Sequence, residues 1–427
     1  MGNVINAAEF GFLPENSAKK NSEALNNALQ NGGEVHIDIK GTYEVSETVI
    51  LKSNTTIVFG EGVFVKRIPS ESENGYLFVN EGAYTKNFNE NINIIGLNLI
   101  CNGVQTAYQK ISPKLVPGLR GHISLFYAKN VKIEGFKTFD LPDGNFAVHV
   151  CTFENLAVEN CVIEGDKDGV HLGRGKNFVI RNCRFKTFDD PIALNAHDYA
   201  TSNPQLGWIE NGIIENCIEE DDENTTGYFC RILCGAWVDW YKGMIVRHSD
   251  SVVSDGRVYR VLMKPDGNEY VSETAPCFEK GDEVIDGIHW VMVQEDATYN
   301  CGCRNIRFKD IYLKKKRDVA FSFHFDDDKW SHSYYKNAEP PIQRDIVFEK
   351  IHLENRIPEL IHSVTPMNDI KIMDSDLEDS IIVLDKIKST VVNYPESNFV
   401  LENVRFNSST EEIIKCKNSR KANFIIK

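Results

Sequence analysis

The chain has 427 residues, 42% apolar and 26% charged, within the ordinary range of a globular protein. Its net charge of −15 and pI near 5.3 argue against nucleic acid or an anionic membrane surface as the main partner. Local Arg and Lys can still line a groove for a polyanionic substrate, and no run of 18 apolar residues offers a membrane span.

The opening Met1-Gly-Asn-Val-Ile-Asn-Ala-Ala-Glu-Phe-Gly11 has neither a basic start nor an apolar core, so no signal peptide is expected. That predicts a cytoplasmic protein, or a chain that begins after a removed signal. The eleven cysteines form no Cys-x-x-Cys zinc pair, and Cys301-Gly-Cys303 has the wrong spacing for one. Cys161, Cys183 and Cys217 hold equivalent places in repeated phrases and are expected to stack as reduced, buried thiols.

Ser17 to Asn31 sets Ala24, Leu25, Ala28 and Leu29 on one stripe and stops at Gly32-Gly33, predicting a short amphipathic helix. Such a helix suits the cap of an open-ended solenoid. Strands follow in Glu34–Ile39, Gly41–Ser46 and Thr48–Leu51. From residue 54 a phrase recurs, an Asn or Asp followed by alternating apolar residues. It begins at Asn54, Asn91, Asn130, Asn155, Asn177, Asn211, Asn305, Asp345, Asp369 and Asn398. Strands this short cannot close their own core, so stacked coils are implied, and the unequal gaps place swollen loops on one side to build a groove. Asn at the phrase start suits a left-handed turn whose amide stacks with the next coil. The fold class predicted is all-β: a single-stranded, right-handed parallel β-helix with an N-terminal capping helix and a small inserted β module.

The insertion is expected because 94 residues separate Asn211 from Asn305. The expected segments are 1–242, carrying the cap and the catalytic coils, then an inserted module at 243–296, then C-terminal coils at 297–427. Asp255-Gly256, Asp266-Gly267 and the stretch Gly287–Val293 read as hairpin turns and strands. This stretch resembles small β modules of phage-tail and carbohydrate-active proteins; it either contributes a function or only braces the groove.

Carboxylates follow two successive phrases: Asp166 and Asp168 after Asn155, Asp189 and Asp190 after Asn177. If the phrases are adjacent coils about 4.8 Å apart, these acids share one face. Crowded carboxylates raise one another's pKa, the condition for pairing a general acid with a base in glycoside hydrolysis. A calcium site and a solvated acidic face are the other readings of the same cluster.

Phe146-Ala-Val-His-Val, Lys167-Asp168-Gly169-Val170 and Phe188-Asp189-Asp190-Pro191-Ile192-Ala193 resemble the polygalacturonase-type family 28 of glycoside hydrolases, with its pectin-lyase-like β-helix. The family's Asn-Thr-Asp-Gly and Gly-Asp-Asp-Cys-Ile-Ala motifs fall on these stretches, and Ala7-Ala-Glu-Phe-Gly11 and Gly41-Thr-Tyr43 match its N-terminal run. The resemblance implies that Asp189 is the general acid, that Asp168 and Asp190 activate water, and that the anomeric carbon inverts, without metal or other cofactor. The family's Gly-His-Gly and Arg-Ile-Lys motifs are absent, so galacturonan is not carried over as substrate. Tyr228-Phe-Cys-Arg231 stands near the first gap, and Arg231 is a replacement candidate.

The further substrate-binding candidates are Asp166 and His171 beside Asp168, His197, His122 of Arg120-Gly-His122, Trp237 and Trp240 as stacking surfaces, and Asp326 on a later coil. Lys314-Lys-Lys-Arg317 reads as a solvated turn. The activity expected is hydrolysis of a poly- or oligosaccharide by a monomer or homo-oligomer. The alternatives are a polysaccharide lyase, which needs calcium or a basic residue beside the acids that the sequence does not offer, and a non-catalytic, tailspike-like carbohydrate-binding β-helix.

Overall fold

The computed structural model describes residues 4–407 and 413–427. Residues 1–3, the first part of the expected leaderless start, and 408–412 of the C-terminal segment lie outside the described residues. The chain winds as a right-handed parallel β-helix whose strands join one 28-stranded sheet. One column runs through Asn89–Ile95, Gly121–Glu134, Phe146–Glu159, Gly175–Arg181 and Ile209–Glu219. It continues directly into Cys303–Leu313, with Gly212 opposite Ile306, so the solenoid resumes in register after the long insertion. The inward side chains alternate along each strand and merge into a single apolar core.

The repeated Asn explains the register. Asn54, Asn91, Asn130, Asn155, Asn177, Asn211, Asn305, Asp345 and Asp369 all adopt left-handed backbone angles, with φ between 52° and 60°. The Asn91, Asn130, Asn155, Asn177, Asn211 and Asn305 amides each donate to the Asn one coil before, at 2.7–3.1 Å. A short amide side chain tolerates this conformation and satisfies its neighbour, so one residue type both turns the chain and fixes the coil spacing. Cys161, Cys183 and Cys217 are free and fully buried, as the repeat implied.

The helix Ala18–Ala28 covers the N-terminal end, burying Ala24, Leu25 and Ala28, with Ser17 accepting from the Lys20 amide. Beside it, Phe12 stacks on Tyr43 with ring centroids 4.5 Å apart. Between Asn211 and Asn305 the chain forms a five-stranded sheet in the order Val238–Asp239, Ser251–Ser254, Arg257–Val261, Ile288–Gln294, Asp282–Ile285. Its hairpins turn at Asp255-Gly256 and Asp286-Gly287, whose positive φ angles match the tight turns that Asp-Gly favours. The sheet also takes in Val238–Asp239, ahead of residue 243.

Candidate active site

The site stands on a second column of short strands: Phe146–Glu159, Val170–Leu172, Ile192–Asn195, Cys230–Leu233 and Val319–His324. Pairing aligns His149, His171, Ala193, Arg231 and Ser322 on successive coils, between inward-facing neighbours such as Val148 and Val150. The turns just before these strands carry Asp168 on one coil and Asp189-Asp190 on the next, tied by the Gly169 amide donating to the Asp190 carbonyl at 3.0 Å. Gly169 permits this approach: a Cβ there would lie 2.6 Å from the Pro191 carbonyl oxygen.

Asp168, Asp189 and Asp190 each present a carboxylate oxygen within 4.8 Å of the others. Asp168 and Asp190 are buried, whereas the Asp189 side chain is 25% exposed, so Asp189 is the one of the three open to a ligand. At such separations one oxygen from each acid can share a single water.

Two cations enter the cluster. The Lys167 ammonium bonds the Asp189 carboxylate and lies 3.9 Å from Asp168. The Arg231 Nε lies 3.2 Å from Asp190, and its terminal nitrogen donates to Asp198 at 3.3 Å. This corrects the expectation that no basic residue stands beside the acids: coil stacking supplies one from the neighbouring residue and one from the next coil. Asp198 also accepts from the Asn195 amide at 2.6 Å and lies 3.3 Å from the His171 Nε2. His171 Nδ1 meets Asp168 at 2.8 Å, and its ring stacks on Phe146 at 3.9 Å.

Four carboxylates thus face two fixed cations in a buried setting, and the excess is relieved by holding protons. Burial and the neighbouring Asp189 charge push Asp190 up to about 8, despite Arg231. Burial and Asp189 likewise raise Asp168 to about 6. Burial would raise Asp189 too, but the Lys167 ammonium and Arg231 guanidinium outweigh it and hold that carboxyl below its ordinary value. Burial, with Arg231, Arg120 and Lys167 nearby, pushes the His171 imidazole down to about 3 against the pull of Asp198. These shifts favour a proton on Asp190 first and on Asp168 next, with Asp189 kept ionised by Lys167. The three oxygens are also a partial donor set for a divalent cation, but Lys167 already neutralises Asp189 there.

Of the other candidates, His171 and Arg231 join the cluster. Asp326 stands close by, 3.0 Å from the His324 Nε2, and the His324 ring lies 5.6 Å from that of Tyr228. The Tyr228 amide donates to Asp190 at 2.8 Å, made possible by the tight, positive-φ approach of Gly227. Asp166 is exposed and is placed by its amide on the Leu141 carbonyl, with no contact to the cluster. His122 is buried, and burial together with the nearby Arg67 pushes it down to about 3. His197 and Trp237 are both buried, 6.1 Å apart, filling the joint between solenoid and insertion. Trp240 is half-buried, its indole donating to Ser272 at 2.9 Å within the inserted module.

Lys167 and Asp198 carry no signal of their own in the sequence beyond adjoining Asp168 and His197. The supposed solvated turn also differs. Lys315 is buried and its ammonium donates to the carbonyls of Thr187, Phe188 and Thr226, while buried Arg317 pairs with Glu219. Together they pin the turn that carries Asp189.

The family model described as rhamnogalacturonase A/epimerase, pectate lyase-like, matches residues 4–217. The chain belongs to that family. The match contains all three clustered aspartates and ends before Arg231 and the inserted module. Among solved structures, the family 28 exopolygalacturonase of Yersinia enterocolitica is similar over 99% of this chain and 78% of its own, with TM-score 0.52 and 13% identity. The A-module of the Azotobacter vinelandii mannuronan C-5 epimerase is similar over 99% of this chain and 95% of its own, with TM-score 0.52 and 10% identity. At these identities the likeness establishes the β-helix alone. No curated protein matches the sequence significantly.

Proposed function

We propose that this protein is a glycoside hydrolase that cleaves a poly- or oligosaccharide at Asp189, supported by the buried carboxyls of Asp168 and Asp190. The observation that carries the reading is the three-carboxylate cluster on adjacent coils, with Asp189 the accessible member and the pKa values of its two buried partners raised, that of Asp190 the more. Hydrolysis needs a carboxyl that protonates the leaving oxygen and a carboxylate that activates water. Asp189 is the acid in this reading. A sugar hydroxyl or carboxylate that draws Lys167 away removes what holds Asp189 ionised, and the proton stored on Asp190 passes to it. Asp168, oriented by His171, and the then ionised Asp190 hold the water. The carbohydrate substrate and inversion at the anomeric carbon are carried from the resemblance; with the acids this close, water must be gripped by Asp168 and Asp190 together.

A second reading, elimination or epimerisation at C5 of a uronate, is favoured by Lys167 and Arg231, which suit neutralising a sugar carboxylate. It also needs a base, and Lys167 is held protonated: burial acts to lower it, but Asp168 and Asp189 raise it above its ordinary value.

The test is a glycan panel assayed with wild type and Asp189→Asn, with and without EDTA, reading reducing ends and absorbance near 235 nm. New reducing ends without the chromophore, lost in Asp189→Asn, are expected. A chromophore would replace hydrolysis by elimination.

A further inference from the structure

A cavity of about 360 Å³ lies between the inserted module, the loop around Tyr108–Gly118 and the segment Ala200–Thr201. Its walls include Tyr108, Lys110, His248, Lys264, His289 and Trp330. Among the described residues no Asp or Glu lines it, in a protein of net charge −15 with 62 acidic residues. His289 is held from behind by Asp282 at 2.6 Å.

The walls are tied together. The Ser249 hydroxyl of the insertion accepts from the Ala200 amide at 2.9 Å and donates to the Trp330 carbonyl at 3.1 Å. Arg260 of the insertion donates to the Asn203 carbonyl at 3.1 Å. On the opposite wall the Arg120 guanidinium lies 3.9 Å over the Tyr108 ring and 4.7 Å over Phe146, the ring that stacks on His171. Ala200 and Thr201 follow Asp198, which contacts His171 and Arg231. The cavity is therefore preformed and continuous with the framework of the aspartate cluster.

We propose that this cavity is an accessory subsite for an anionic saccharide residue, built onto the groove by the inserted module. This rests on the glycan-processing reading. Tyr108 and the 41%-exposed Trp330 offer aromatic faces to a sugar ring. Lys110 and Lys264, both exposed, supply the positive potential that a carboxylate or sulfate needs. His248 is buried, and at most the Met263 backbone partners one of its ring nitrogens, leaving the other without a hydrogen-bond partner. A neutral imidazole in that position suits a sugar hydroxyl, and an unmet buried polar group is costly without one. The insertion then acts as a specificity element and does more than brace the groove.

The experiment is calorimetric titration of the full chain with trisaccharides of galacturonate, glucuronate and mannuronate, and with neutral trisaccharides. It compares wild type, Lys110→Ala/Lys264→Ala, Trp330→Ala and Asp189→Asn. At least one triuronate is expected to bind at least tenfold more tightly than the neutral sugars, with affinity falling as salt rises. The double lysine variant and Trp330→Ala are each expected to weaken it tenfold or more, and to do so equally when combined with Asp189→Asn, which blocks turnover. Equal binding of neutral sugars, no binding of any triuronate, or unchanged affinity in the lysine variant would overturn the subsite. Because binding is read without turnover, hydrolysis with lysine-independent affinity removes the subsite alone. Lysine-dependent binding by a protein that cleaves nothing removes the hydrolase reading alone.

Discussion

Lys167 reaches from one coil to the Asp189 carboxylate on the next, and this ion pair holds Asp189 below its ordinary pKa against the effect of burial. It leaves Asp189 ionised while Asp168 and Asp190, cut off from solvent, carry raised pKa values.

Removing Lys167 reverses that order. In Lys167→Met, Asp189 loses its largest lowering influence and its pKa rises, so activity measured as kcat/KM extends to higher pH on the limb set by the acid. The variant loses a charge-assisted hydrogen bond worth about 1.5–3 kcal/mol, read as a lower denaturation midpoint at pH 7. An unchanged pH profile would show that Lys167 does not control the acid.

Asp190 makes stability depend on pH in a definite direction. Its folded pKa is raised to about 8, so its contribution is fully present below the unfolded value near 3.8 and is lost as pH rises through 8. Asp190→Asn, which does not titrate, is therefore expected to gain stability relative to wild type as pH rises from 5 to 8. Paired thermal melts across that range check it, and a constant difference would contradict the raised pKa.

Arg231 bridges Asp190 and Asp198 from a buried position. Arg231→Met removes the cation shared by Asp190 and Asp198 and is expected to cost about 3–5 kcal/mol, measured by denaturant titration. Arg231→Lys keeps the charge but not the two-sided geometry, and is expected to recover only part of the loss.

The solenoid was legible because its signals repeat. Asn155 and Asn177 mark the same corner of successive coils, and Cys161 and Cys183 the same inward position. The Asp-Gly turns of the insertion were legible for a local reason, their tolerance of positive φ. The site was half legible. Asp168, Asp189 and Asp190 announced themselves as clustered acids on neighbouring phrases, but their charge states depend on Lys167 and Arg231, and only coil stacking shows where those cations point. His197 and Asp198 illustrate the limit: adjacent residues at a strand end face opposite ways, so the histidine fills the core and the aspartate meets the site. Lys315 looked solvated because three basic residues adjoin it, yet three backbone carbonyls on other coils were waiting for its ammonium.

The Asn ladder gives a separable prediction on stability. Asn177 donates to Asn155 and accepts from Asn211, at φ +59°. Asn177→Gly loses the two amide contacts at about 1 kcal/mol, and Asn177→Ala adds about 1 kcal/mol of left-handed strain. Equal losses in the two variants, in parallel denaturation curves, would show that strain is not involved.

The most direct measurement is a proton NMR time course in deuterated buffer on a glycan that the panel identifies, with wild type beside Asp189→Asn. New anomeric signals are expected with wild type, initially of the anomer opposite to the cleaved linkage, with no olefinic proton and no change with the variant. An olefinic H4 signal, or loss of the H5 signal without chain cleavage, would contradict hydrolysis at Asp189 and assign the cluster to C5 chemistry.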